Sequence, residues 1–161
     1  MNRRKWLLSA AAAAAVATPG AALAHGDGDD DGIAGSWIAT VTATDPPLGS
    51  FASLISFQPG EIVIESRRYL VKGTPFGDLL ETTGHGAWTR TGTRRFEAFF
   101  RFLIQNHDTG APIGTDNIRL QLRLSRNGET LNGTFQSQIR LTDDTVVFEA
   151  AGTYTATRIT V

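Results

Sequence analysis

The sequence predicts an all-β protein: an eight-stranded antiparallel up-and-down β-barrel, preceded by a cleavable signal helix and a disordered acidic leader. Three observations support this fold class. From Gly35 onward, apolar and polar residues alternate with a period of two and not of 3.6. Short turn signals separate the alternating segments, and longer connections recur after every second segment. Because the 161 residues include no cysteine, the fold depends on packing and hydrogen bonding for its stability.

Residues 1–24 have the features of an export signal. Arg3, Arg4 and Lys5 form a basic head, "WLLSAAAAAAVA" an apolar centre, and "ALA" at 22–24 a small-residue cleavage site. The apolar centre ends at a Pro-Gly pair and is shorter than the roughly 20 residues that a membrane-spanning helix needs. We therefore expect a periplasmic or secreted protein with no stable membrane insertion after cleavage. The arginine pair is compatible with twin-arginine export as well as with the Sec route.

Residues 25–32, "HGDGDDDG", contain no apolar side chain, so we expect a flexible acidic leader ahead of one barrel domain at 33–161. Without residues 1–24 the chain carries 12 basic and 16 acidic residues. Four of those acids belong to the leader, so the domain itself is electrically balanced. A balanced domain with scattered arginines argues against a nucleic-acid partner. Its length suits a single core, and we expect a monomer.

Two patterns resemble metal ligands without completing a site. "DGDDDG" at 27–32 opens like a calcium-binding loop, but the closing glutamate is missing and Ile38 occupies its position. Signal cleavage would expose His25, whose amine and imidazole can hold copper if a second histidine, His85 or His107, joins them. We predict no metal and no cofactor.

Each of the eight segments places apolar residues on one face and polar residues on the other. The sixth is the clearest, because four aliphatic residues alternate with arginine and glutamine in "NIRLQLRLS". In chain order the others contain "WIATVT", "FASLISF", "EIVIES", "GAWTRT", "FEAFFRFLI", "LNGTFQSQI" and "VFEAAGTYTAT". The eight predicted strands lie near 36–43, 50–57, 61–69, 84–91, 94–105, 117–125, 130–141 and 145–159.

The connections differ in length in a regular way. Those after strands two, four and six are tight, "QPGE", "RTGT" and "SRNGE". Those after strands one, three and five are longer, "TDPPLG", "LVKGTPFGDLLETT" and "QNHDTGAPIGT", while "TDD" after strand seven is short. In an up-and-down barrel alternate loops lie at the same end, which predicts one pinched end and one long-loop end. Within the second long connection, Thr74 and Pro75 could begin a short helix over 74–83.

The Gly-x-Trp at the start of strand one and an arginine near the end of the last strand resemble the calycin superfamily of lipocalins, fatty-acid-binding proteins and avidin-like barrels. Gly35, Trp37 and Arg158 occupy the matching positions. The resemblance implies an eight-stranded barrel whose floor is closed by the tryptophan, with the arginine across it. Independently, the alternation in the last strand puts Arg158 on the inward face, where an indole could offset the burial of its charge.

The inward faces are apolar and rich in phenylalanine, which fits either a solid core or an apolar pocket. The predicted inward sets include Ile62 and Ile64 of strand three. A pocket would open at the long-loop end, with 69–83 as a lid, and would hold a small hydrophobic molecule. The predicted lining is Val41, Phe51, Ser53, His85, Phe100, Phe102, Ile118, Ile139, Phe148 and Tyr154.

Binding of that molecule without covalent chemistry is the favoured function, because the sequence contains no nucleophile motif, phosphate loop or catalytic carboxylate pair. Two alternatives stay open. A barrel-type cyclase or isomerase similar to allene oxide cyclases would need a proton carrier near the mouth, such as Tyr69, His85, Glu81 or Asp108. A protein-binding or inhibitory barrel would act through its long loops.

Overall fold

The computed structural model describes residues 32–68, 70–74 and 76–160, so the predicted export signal and residues 25–31 of the leader lie outside the described residues. The described ranges form one antiparallel sheet of ten strands. The strands are β1 (Gly35–Asp45), β2 (Gly49–Gln58), β3 (Ile62–Arg67), β4 (Leu70–Thr74), β5 (Gly77–Glu81), β6 (Gly84–Gly92), β7 (Arg95–Asn106), β8 (Pro112–Leu124), β9 (Thr130–Leu141) and β10 (Val146–Arg158).

Eight of these strands close into a barrel. The order around the ring is β1, β2, β3, β6, β7, β8, β9 and β10, and β10 pairs back with β1. Closure leaves each barrel strand with two partners, which satisfies its backbone groups and removes the exposed edges of an open sheet. The predicted fold class is therefore confirmed. None of the described residues forms a helix of the length and apolarity required to cross a bilayer.

The predicted helix at 74–83 is wrong, because this segment belongs to a β-hairpin made by β4 and β5. The ladder between β3 and β6 ends at Glu65–Gly84, and pairing resumes at Leu70–Leu80. Strands β3 and β4 thus form one arm of a long hairpin, and β5 and β6 form the other. Backbone pairing between β5 and the end of β7 favours the extended conformation over a helix. The hairpin therefore extends the barrel wall formed by β3 and β6 beyond the long-loop end.

The buried face of β3 is the opposite of the predicted one. Val63 and Glu65 are 0% and 2% exposed, whereas Ile62 is 46% exposed and Ile64 is half-buried. Val63 lies directly across from the buried Phe57 of β2, and this pairing determines which face of β3 points into the barrel. The run "IVI" is apolar at both parities, so alternation alone gave the wrong face. On the other barrel strands most of the predicted inward residues are buried.

Trp37 fills the pinched end of the barrel and is 0% exposed. Its indole Nε1 donates a hydrogen bond to the Ile33 carbonyl at 3.0 Å, and the Arg158 guanidinium carbon lies 4.2 Å from the centre of the ring system. Arg158 also donates to the carbonyls of Gly32, Ala34 and Gly128. These contacts join both chain ends of the barrel to the β8–β9 turn.

Gly35 is required beside this arginine. Its φ of +130° lies in a region that other residues rarely adopt, and a Cβ at this position would lie 2.7 Å from Arg158 Nη1. Gly35, Trp37 and Arg158 therefore lie together at the pinched end.

Candidate functional site

A group of polar side chains lies inside the barrel towards the long-loop end. We call it the interior polar cluster, and it comes from six different strands. Such a cluster is unusual within an apolar interior, because a buried polar group is costly unless it is bonded. Its members are Ser53 of β2, Glu65 and Arg67 of β3, Glu81 of β5, Asp116 of β8, Ser137 of β9 and Tyr154 of β10.

Arg67 is the cation of the cluster, and its side chain is 12% exposed. It donates from Nε and Nη2 to the two carboxylate oxygens of Glu81, at 2.8 and 2.9 Å, and from Nη2 to Asp116 at 2.5 Å. Burial acts to lower its pKa, but the charges of Asp116 and Glu81 outweigh burial and raise it. The guanidinium also lies 4.1 Å from the ring centre of Phe102, so it is held on several sides.

The two acids that bind Arg67 are not equivalent. Asp116 also accepts a hydrogen bond from the Ser137 hydroxyl at 2.7 Å. Burial raises the pKa of Glu81, and the adjacent Arg67 charge and hydrogen bond partly oppose that rise. Both carboxylates are thus engaged by groups of the protein itself.

Glu65 differs from them, because it has no basic partner within 4.0 Å in the described part of the chain. Glu65 is 2% exposed, and burial raises its pKa. The charge of Arg67 and the Ser53 hydroxyl reduce this rise, whereas the charges of Asp116 and Glu81 add to it. A buried acid with a raised pKa keeps its proton to higher pH than a free glutamate does.

Two hydroxyl groups beside Glu65 have no hydrogen-bond partner among the described residues, Ser53 Oγ and Tyr154 OH. Burial and the charge of Glu65 raise the pKa of Tyr154, and hydrogen-bonding interaction with the Ser53 hydroxyl opposes the rise for both Tyr154 and Glu65. This interaction does not reach the length and angle of a full hydrogen bond at either hydroxyl. We call Ser53, Glu65 and Tyr154 the unpartnered triad.

The raised pKa of Glu65 leads to a prediction about pH. Unfolded Glu65 loses its proton near pH 4.5, and folded Glu65 retains it to higher pH. The unfolded state then binds fewer protons, so this residue makes the free energy of unfolding fall as the pH rises above 4.5. Glu65→Gln should remove that part of the slope and stabilise the protein by about 1–3 kcal/mol at pH 8. Urea unfolding between pH 4.5 and 8 measures both effects.

Glu97→Gln is the matched control, since Glu97 lies on the outer face of β7. It should unfold with the pH dependence of the wild type. Equal slopes for Glu65→Gln and the wild type would contradict the assignment of Glu65 as a buried acid.

Apolar residues are exposed at the same end of the barrel. We call this set the rim patch, and its side chains are between 36% and 63% exposed. One of them lies between β1 and β2, and the others lie in the first residues of β2 and β10; β2 and β10 both pair with β1. Exposed apolar groups that lie near one another indicate a binding surface. The rim patch consists of Leu48, Phe51, Val146, Val147 and Phe148.

Phe51 lies beside the interior polar cluster. The described pairing of β2 with β3 runs from Gln58–Ile62 to Ser53–Arg67. The Phe51 ring centre is 5.7 Å from the Arg67 guanidinium carbon. This ring therefore connects the interior polar cluster with the exposed apolar residues of the long-loop end.

The predicted lining residues fall into three groups. Phe51, Ile139 and Phe148 are partly exposed near the long-loop end, and a register shift near Val146 accompanies the exposure of Phe148. His85 lies on the outer face, because its neighbours Gly84 and Trp88 take the inward parity. The buried interior holds the rest, Val41, Ser53, Phe100, Phe102, Ile118 and Tyr154.

The four proton carriers proposed from the sequence do not come together. Tyr69 lies outside the described residues, and Asp108 is exposed at the β7–β8 turn, 2.8 Å from His107 Nδ1. Only Glu81 joins the interior polar cluster. Among the described residues no group of three or more histidine or acidic side chains has the arrangement of a metal site.

Some of the small inward residues accommodate phenylalanine rings. A Cβ on Gly84 would lie 2.8 Å from the Phe102 ring, and a Cβ on Gly152 would lie 2.8 Å from the Phe135 ring. These glycines are thus part of a packed interior and do not mark empty space.

A concavity of about 580 Å³ lies on the outer face of β7 to β10. Phe99 is exposed there between two arginines, with the Arg119 guanidinium carbon 5.9 Å from its ring centre. Other polar groups around it bond to one another, as in the 2.6 Å hydrogen bond from Arg101 to Asn117 and the 2.7 Å one from Gln138 to Glu149.

No family model matches this chain, and no curated protein matches it. Among solved structures, a redesigned β-barrel described as "Structure of a redesigned beta barrel, b11L5F_LGL" is 16% identical, with a TM-score of 0.45, over 80% of this chain and 93% of that chain. A likeness at this level carries no information about function. The chain is a closed eight-stranded β-barrel, and its membership of the calycin superfamily stays a prediction.

Proposed function

We propose that this protein is an exported, calycin-like barrel that binds a small, largely apolar molecule at its long-loop end. The polar end of the ligand contacts the unpartnered triad, and its apolar part covers the rim patch. One observation carries the proposal: two fully buried hydroxyls without partners lie beside a buried carboxyl without a counter-ion.

Buried polar atoms in folded proteins are nearly always hydrogen-bonded, to protein, to water or to a ligand. The unpartnered triad is therefore expected to form hydrogen bonds with a molecule bound inside the barrel. The rim patch gives such a molecule apolar surface to cover. The site departs from the purely apolar pocket that the sequence predicted, and it suits a ligand with one polar end.

A barrel-type cyclase or isomerase is the second candidate, and the raised pKa of Glu65 favours it. An acid that keeps its proton to higher pH than a free glutamate, in a water-poor interior, can donate that proton during a rearrangement. Tyr154 would lie beside the reacting group. Product analysis after incubation with polyene substrates separates this activity from binding alone.

Blocking the interior should abolish binding. The full chain should bind the neutral dye Nile red saturably, with an increase in dye fluorescence. Ser53→Phe places a large ring among the unpartnered triad, and we expect it to weaken binding by at least about tenfold, the factor that 1.4 kcal/mol represents. Ala52→Phe is the matched control, because Ala52 is exposed on the outer face of the same strand.

Thermal unfolding monitored by circular dichroism establishes that both variants are folded. If Ser53→Phe is unfolded, Ser53→Leu serves in its place. Equal dye binding by the wild type and the interior variant would overturn the proposed site, and so would a complete lack of saturable binding by the wild type.

A further inference from the structure

The interior polar cluster contains more acids than bases. Glu65, Glu81 and Asp116 face a single cation, Arg67, and all four lie within the barrel. Even with Glu65 protonated, two carboxylates oppose one guanidinium. A ligand that enters this space with a negative charge would add to the imbalance, and a positive one would reduce it.

Arg67 is not free to bind an anion. Its guanidinium already makes a two-point contact with Glu81 and a further hydrogen bond to Asp116. Its faces lie against aromatic rings, with Phe102 at 4.1 Å. A carboxylate ligand could reach this arginine only by displacing one of the two buried acids, which would then lack a partner in the low-dielectric interior.

The unpartnered triad presents hydrogen-bond acceptors in one place. A carboxylate and the two hydroxyl oxygens can each accept, and Ser53 and Tyr154 are 4% and 0% exposed. A primary ammonium group carries three N–H donors and no acceptor. The three donors of one ammonium thus correspond to the three acceptors of the triad, with Glu65 supplying the counter-charge.

We propose that the interior site selects an amphiphile whose polar end is a primary ammonium group and discriminates against a carboxylate of the same chain length. This inference rests on the proposed ligand-binding function and names the chemical class of its ligand. The ammonium lies against Glu65, Ser53 and Tyr154, and the hydrocarbon chain extends towards the rim patch.

Binding of the cation is coupled to the titration of Glu65. The charged groups that face Glu65 are Arg67 on its own strand, Glu81 and Asp116, and the neutral hydroxyl of Tyr154 faces it from β10. An ammonium ion favours the charged form of the carboxyl, so binding expels its proton. Ammonium affinity therefore rises as the pH increases above 4.5 and Glu65 loses its proton, while the affinity for a neutral alcohol does not rise.

The test compares three probes of equal length, octylamine, octanoate and 1-octanol, below their aggregation concentrations. Isothermal titration of the full chain should show octylamine binding about ten- to hundredfold more tightly than octanoate at pH 7.5, the range that one charge-assisted hydrogen bond supplies. Glu65→Gln should reduce octylamine affinity about tenfold or more, and should reduce 1-octanol affinity less, because the alcohol carries no charge for the carboxylate to compensate. Glu97→Gln on the outer face is the matched control and should bind all three probes as the wild type does.

Glu65→Gln removes an unpaired buried acid, so it is expected to fold, and Tyr154→Phe provides a second variant with a smaller loss of octylamine affinity. Tighter binding of octanoate, equal binding of all three probes, or wild-type octylamine affinity in Glu65→Gln would each overturn the inference while leaving the binding function in place. Binding of none of the probes, together with no saturable dye binding, would overturn both.

Discussion

Trp37→Ala is expected to lower the free energy of unfolding by about 3–5 kcal/mol, the usual cost of removing a large buried aromatic side chain. The substitution removes the packing of a ring that is 0% exposed, its hydrogen bond to Ile33, and the surface over which Arg158 lies. Arg158 would keep its three carbonyl contacts but lose its aromatic neighbour. Urea unfolding followed by circular dichroism measures the loss.

Ile38→Ala is the control for this change, because the adjacent residue is 55% exposed on the outer face of the same strand. It should cost less than about 1 kcal/mol. Trp37→Phe should fall between the two, since it keeps an aromatic ring but loses the indole hydrogen bond. A Trp37→Ala variant as stable as Ile38→Ala would show that the pinched end does not depend on this residue.

Period-two alternation predicted strands that have one buried and one exposed face. In β8 Ile118, Leu120 and Leu122 alternate with polar residues, so only one face could be the buried one, and these aliphatic residues are buried as expected. Strands of this kind occur in sandwiches as well as in barrels. The sorting of the long loops to one end favoured an up-and-down barrel.

The same rule failed where both faces of a strand are apolar. In "EIVIES" the sequence was interpreted with Ile62 and Ile64 inward. The structure instead turns Val63 and Glu65 inward, because Val63 lies across from the buried Phe57 and Glu65 shares its parity. The cost of burying charged residues inside a barrel is offset by partners on distant strands, and a single sequence does not reveal those partners.

Some signals of the cluster were present in the sequence. Asp116 lies two residues before Ile118 and so shares its inward parity, and Arg67 shares the parity of Val63. What the sequence could not supply was the hairpin that brings Glu81 down to Arg67. The segment around Gly77 has turn residues and leucines that fit either a helix or a strand, and its conformation depends on pairing with β7.

Arg67→Met is expected to destabilise the barrel by about 3–5 kcal/mol at pH 7.5, because it removes the sole cation of the interior polar cluster and leaves buried acids unpaired. This loss of stability should be smaller as the pH falls towards 4.5. Burial raises the pKa values of Glu65 and Glu81, so both are protonated there in the folded protein. Without the guanidinium, which opposes that rise, both acids retain their protons to still higher pH. The variant should therefore lose stability more steeply than the wild type as the pH increases.

Arg140→Met is the matched control, since Arg140 pairs with the exposed Asp144 at 3.2 Å in solvent and should contribute less than about 1 kcal/mol. Adding Glu81→Gln and Asp116→Asn to Arg67→Met should restore much of the lost stability, because the amides remove the uncompensated charges. If the triple variant were no more stable than Arg67→Met alone, the loss would come from packing against Phe102 and not from charge. The charge of Arg67 would then make no contribution to the stability of the long-loop end of the barrel.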